Sequence, residues 1–199
     1  MALHNTSGAD AWAQAVSTHA HLLANGRLTQ VDVPTPDLVP EPGEYAVAVI
    51  PGGMTFARYA SAQVVYGGTG PSLVVGSQPF VTGFVIGSLF QRGRRRRRAR
   101  REAAPLWRPT PLLRVVVTTR RVWCEVATDT GPKWLNFNYD TIADLRLDGA
   151  ALVLSFLQAE PLRLSGELAA WCAAVIAHYR FGPSAPAAVP ALHAAAMAS

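Results

Sequence analysis

Very few side chains in this sequence have the type and spacing that bond-making chemistry demands. His19 and His21 form an H-x-H pair. That spacing puts two imidazoles on one face in a strand, whereas the local pattern is helical. No Cys, Asp pair or third ligand accompanies them for a metal. Gly67-Gly68-Thr69-Gly70 resembles a phosphate loop, but no Gly-Lys-Ser/Thr follows and Pro71 stands where a helix would open, so turn formation accounts for it. No G-x-S-x-G elbow occurs. Cys172 and His178 do not share a helix face, and Asp140, Asp144 and Asp148 straddle strands and a turn as solvated acids. The expectation is a protein with no catalytic residues, metal ligands, cofactor or small-molecule substrate.

Charge is the exception. Residues 84–103 read FVIGSLFQRGRRRRRARREA, in which Arg92, Arg94, Arg95, Arg96, Arg97, Arg98, Arg100 and Arg101 follow an oily stretch. These arginines outweigh the whole net charge of +5, so the rest of the chain is net acidic. The pI of about 9.8 reflects a point source and not a basic face of the kind that nucleic-acid-binding domains spread out. Lys133 is the only lysine and alanine is abundant, as a GC-rich genome would give; codon bias does not cluster arginines this densely. Five consecutive arginines cover every side of a helix, and like charges at i,i+3 and i,i+4 repel, so the run weakens its own helix unless an anion screens it. Three roles fit: a solvated, frayed helix end or loop, an anionic membrane surface, or RNA and DNA phosphates. Phe80, Phe84, Leu89 and Phe90 favour the membrane over the polynucleotide. Stable anchoring needs an apolar signal beside the basic one, and no aromatic residue interleaves with the arginines to stack on bases.

No residue from Tyr59 to Gln91 carries a formal charge. Ser72–Gln91 has the length of a bilayer span, about 20 residues. Gln78-Pro79 interrupts it, however, and Phe80 to Phe90 reaches only about 16 Å as a helix at ~1.5 Å per residue. A single crossing would also separate the flanking halves of one sheet. The sequence therefore predicts an inserted helix from about Pro79, a favoured first helical residue, to about Ala103. Gly83 and Gly87 suit close packing on the sheet, on the N-terminal helix or on a second copy of the chain, so self-association is a further expectation.

The elements around this insert are short. Residues 8–25 read as a helix capped by Asn5, Thr6 or Ser7 and stopped at Asn25-Gly26, with Trp12, Val16, His19 and Leu23 on its docking face. Four prolines between Val31 and Tyr45 make an extended linker. YAVAVI (45–50), FARYASAQVVY (56–66) and SLVVG (72–76) are apolar β-runs. LLRVVVTTRRVWCEVA (112–127) is one long β-branched run, and WLNFNYDTI (134–142) alternates, with Leu135, Phe137 and Tyr139 on one face. Asp148-Gly149 is a hairpin turn between Leu145/Leu147 and Leu152/Leu154/Phe156. PLRLS (161–165) leads into a helix capped by Ser165, with Leu168, Trp171, Cys172, Val175, Ile176 and Tyr179 as its stripe and Gly182-Pro183 as its stop. The Pro/Ala sequence 183–199 reads as a disordered or weakly helical tail. Cys124 and Cys172 sit in apolar surroundings and are expected to be reduced and buried.

VVVTTRRVWCEV, a turn, KWLNFNYDTIADLRLDGAALVLSF, then LRLSG and a helix together resemble bacterial pleckstrin-homology-like domains of the GRAM-like type. The resemblance rests on the element Thr118-Thr119-Arg120-Arg121-Val122 and on Ile142-Ala143-Asp144-Leu145. It covers about 112–181 well and 44–76 loosely, and the whole layout is similar to proteins of high-GC Gram-positive bacteria. It implies an α+β fold: a small antiparallel β-barrel or bent sheet capped by a C-terminal helix. An N-terminal helix and the inserted apolar/Arg-rich helix would be added to it. It implies three parts, with 1–43 as helix and linker, 44–182 as the PH-like domain and 183–199 as the tail. Such domains bind lipid headgroups, peptides or partner domains and are not enzymes. Their basic lipid-binding residues lie in a loop between early strands; this chain has Arg58 near that region but no Lys/Arg pair there. The expected function is thus a non-enzymatic binding or scaffolding module for an anionic lipid surface or a protein partner. A nucleic-acid-binding protein is the alternative. MALHNTSGAD has no basic-then-apolar signal, so a cytoplasmic protein, peripheral at the inner face of the membrane, is expected.

Overall fold

Short apolar runs separated by glycine turns leave little choice but to pair side by side. The computed structural model describes residues 8–33, 38–60 and 106–198. Strands β1 (Ala46–Pro51), β2 (Thr55–Ala60), β3 (Leu106–Thr118), β4 (Arg121–Thr128), β5 (Gly131–Asn138), β6 (Ile142–Asp148), β7 (Ala151–Phe156) and β8 (Leu162–Ser165) form one antiparallel sheet. Its order is β5-β4-β3-β2-β8-β7-β6, with β1 also paired to β3. The fold is α+β. The ends β5 and β6 do not join, so the sheet is open and no barrel is closed.

The sheet joins the sequence before the insert to the sequence after it. Val49 pairs with Val116 and Ile50 with Val115, while Phe56 pairs with Leu164 and Ala57 with Arg163. Between these two pairings the chain bends at Gly52 and Gly53, both at positive φ (62° and 72°), where a side chain would be strained. Gly166, just after β8, packs on that bend. A Cβ added there would lie 2.8 Å from the Gly53 carbonyl oxygen, at a φ of +144°. Gly166→Ala is expected to destabilise the fold by roughly 2 kcal/mol or more. Urea unfolding of the two proteins measures it.

The β6–β7 hairpin is tight: Asp148 pairs with Ala151, which makes Gly149 and Ala150 the turn, one residue on from Asp148-Gly149. The 112–127 run is not continuous. It breaks at Thr119-Arg120 into β3 and β4, with Val117 opposite Val122. Ile142 and Leu145 are buried in β6, whereas Ala143 and Asp144 face solvent.

Three helices of eight or more residues occur among the described residues: α1 (Gly8–Asn25), α2 (Ala169–Phe181) and α3 (Pro190–Met197). Helix α2 crosses β6 and β7 and is buried on all sides from Ala169 to Ala177, because α1 lies on its other face. The helix begins at Ala169 after Leu168, with no side-chain cap; Ser165 is held in β8 opposite Thr55 and Ala151. Trp171 Nε1 donates to Thr18 Oγ1 at 3.1 Å, and His178 Nε2 lies 2.9 Å from the Gly26 carbonyl oxygen. Both helices advance between these two contacts, so they run parallel. The interface of α1 is Ala11, Ala15, Val16, His19 and Leu22. Trp12 and Leu23, expected on the docking face, are 38% and 42% exposed. Alanines on α2 allow close approach, and close approach selects small partners and leaves the indole at the rim.

The segment after α2 is not a disordered tail. A helical turn at Ala185–Ala188 packs on α2 and β6, and helix α3 folds back on α1; Ala185, Val189 and Leu192 are buried. Prolines fall in the first turns of these short helices, where a missing N–H costs nothing, so they segment the tract and do not unfold it. Among the described residues no helix is long and apolar enough to cross a membrane.

Candidate functional site

The most tightly organised polar cluster lies where the linker enters the sheet. At the β3–β4 turn the Thr118 hydroxyl oxygen accepts the backbone N–H groups of Arg120 and Arg121 at 3.1 and 2.9 Å. A side chain thus does the work of a turn glycine. The same hydroxyl donates to Glu44 Oε1 at 2.6 Å. Arg121 clamps Glu44 from the other side, with Nε 2.9 Å from Oε1 and Nη2 2.6 Å from Oε2. Glu41 closes the cluster: its backbone N–H donates to Glu44 Oε2 at 2.8 Å, and its carboxylate meets Arg121 at 2.9 Å and Arg120 at 3.2 Å. Tyr139, buried in the turn after β5, donates its hydroxyl to the Thr118 carbonyl at 3.0 Å.

Glu44, Thr118 and Arg121 are each under a tenth exposed. Burial pushes the Glu44 carboxyl upward, but the bonds from Arg121, the Glu41 backbone and Thr118 outweigh it and hold the group at about 2. The same pairing, against an opposing effect of burial, raises Arg121 further. Both groups stay charged across the physiological range and every lone pair is engaged. Such a cluster holds the linker to the sheet; it has no proton to exchange near neutrality. The thiols are equally inert, since burial raises Cys172 to about 12 and Cys124 higher still.

Beside this cluster, arginines and indoles alternate on the face of β3–β5. The Arg121 guanidinium lies 5.0 Å from the Trp123 ring centre, and that of Arg114 lies 5.7 Å from Trp134 while pairing with Glu125 at 3.3 Å. Arg58, near the region where the resemblance would place lipid-binding bases, donates to the Glu160 carbonyl at 3.1 Å and covers Phe137. Asp148 meets Arg163 at 3.4 Å, whereas Asp140 and Asp144 are exposed. His19 points inward and His21 outward, so the H-x-H pair is split.

The residues expected to bind a polyanion, Arg92, Arg94 to Arg98, Arg100 and Arg101, lie outside the described residues, as do Phe80, Phe84, Leu89 and Phe90. Thr118 and Arg121 stood in the element Thr118-Thr119-Arg120-Arg121-Val122. Their partner Glu44 was missed, although an isolated acid directly before YAVAVI was a usable signal. No family model and no curated protein matches this chain.

Proposed function

We propose that this protein is a non-enzymatic PH-like, GRAM-like module that docks on an anionic membrane surface. The apolar segment around Phe80–Phe90 and the arginines of 92–101 would form the contact, at the inner face of the cell membrane. The coarse architecture supports the fold half of the proposal: a meander of short antiparallel strands followed by a helix laid across them. One observation carries the membrane half. The insert leaves β2 after Ala60 and returns in β3 at Leu106, and these strands are neighbours in one sheet. The sequence on either side of the insert thus belongs to one sheet, which supports reading the insert as an addition to a single module and not as a divider between two compartments.

The arginines that the fold itself uses support this division of labour. Arg58, Arg114, Arg120, Arg121, Arg163 and Arg180 meet carbonyls, acids or rings of the protein. Flotation of the full chain with vesicles tests the proposal: retention by phosphatidylserine-containing vesicles and none by phosphatidylcholine, weakening with salt, is the expected result. Gel shifts on RNA and DNA run beside it. Binding to nucleic acid without binding to anionic vesicles would transfer the arginines to the polynucleotide.

A further inference from the structure

His19 of α1, His178 of α2 and His193 of α3 converge from three helices. His19 is completely buried and neither ring nitrogen has a hydrogen-bond partner; His193 Nδ1 is likewise buried and unpartnered. The two rings meet edge to face with centres 5.7 Å apart. A neutral imidazole tolerates such a place, but an imidazolium does not, because a buried charge needs a counter-charge.

Among the described residues no carboxylate of the three helices stands beside these rings. The sequences of α2 (AAWCAAVIAHYRF) and α3 (PALHAAAM) contain no carboxylate. On α1 the one acid, Asp10, is in the first turn, more than two turns before His19. The other titratable groups are cationic or turned away. His178 and His193 would both repel a new charge, His21 is exposed and bonded to the Arg27 carbonyl, and Arg180 donates to the Ile142 carbonyl.

We propose that α3 is an acid-released latch, in which protonation of His19 detaches Pro190–Met197 from α1. Burial, reinforced by His193 and His178, holds His19 below its ordinary value of 6.5 while α3 is docked. Above that value both forms are neutral and docking is unaffected. As pH falls through it, the released form takes up a proton that the docked form refuses, so docking is lost. Release uncovers Leu192 and Val189, both buried when docked.

Hydrogen exchange on the full chain at about pH 7.5 and about pH 5.5, corrected for the intrinsic rate, tests this. Protection across Pro190–Met197 is expected to fall by up to about tenfold per pH unit as His19 protonates, while the strands keep theirs. His19→Met should flatten the fall. If that variant does not fold, His193→Leu serves: it removes one of the groups that hold His19 down, so its fall is expected to be shallower than that of the wild type. Unchanged protection of α3 down to about pH 5.5, simultaneous loss across the sheet, or a His193→Leu fall as steep as the wild type overturns the latch.

Discussion

Arg121→Ala is expected to cost about 3–5 kcal/mol, one of the two largest effects of any change proposed for this chain. The reason is the isolation of what remains. Glu44 would stay buried between β1 and the β3–β4 turn with its guanidinium gone, and a buried charge without a partner costs more than the pair ever contributed. The double variant Glu44→Leu/Arg121→Met separates that penalty from simple loss of contacts. It removes both charges at similar volume and is expected to recover most of the loss, since Thr118 still has the Arg121 carbonyl 2.9 Å away as an acceptor. Urea unfolding at neutral pH measures all three proteins. Acid gives an independent view of the same pair. Glu44 is held at about 2 in the folded protein, below its ordinary 4.5. As pH falls through 4.5 the unfolded chain gains a proton that the folded one does not, so stability drops, by on the order of 3 kcal/mol when pH 2 is reached. In the double variant this part of the acid sensitivity disappears.

Replacing Arg94 to Arg98 with serine has the other large effect, on binding and not on stability. Each basic side chain near an anionic surface contributes about 1 kcal/mol, so losing five is expected to weaken partition onto phosphatidylserine vesicles on the order of a thousandfold at low salt. Raising the salt narrows the gap between variant and wild type, because screening removes the same interactions. The urea midpoint is expected to stay where it was, since the clamp at Glu44 and the sheet's cation–ring contacts use other arginines. A variant that binds as well as the wild type would return the run to the role of a solvated segment. One that unfolds earlier would make it part of the packing.

What the sequence made visible follows from how local each signal is. The β6–β7 hairpin is written in adjacent residues, with a glycine between alternating leucines, and it forms within one residue of the expected place. Helix α1 is legible for the same reason, from its length to its stop at Asn25-Gly26. The β3–β4 turn is not local in this sense. Nothing in VVVTTRRVW offers glycine, proline or asparagine, and the turn forms because the Thr118 hydroxyl gathers two backbone donors while Glu44, far upstream, holds Thr118 and Arg121. The docking face of α1 was misjudged because the choice between Trp12 and Ala11 depends on the alanines of α2, not on the spacing within α1. The final segment failed in the opposite direction: its prolines look like breakers, yet each falls where a short helix starts. Of the clamp, the element holding Thr118 and Arg121 was legible and its acid was not, since a pair becomes visible only when β1 is laid against β3.

Vesicle flotation of a chain in which residues 61–105 are replaced by a short glycine–serine turn tests the central claim most directly, because β2 and β3 are already neighbours and need no long connection. The expected result is a protein that unfolds cooperatively like the full chain yet stays unbound while the full chain floats with phosphatidylserine vesicles. An insert-free chain that floats equally well, or one that cannot fold, would contradict it.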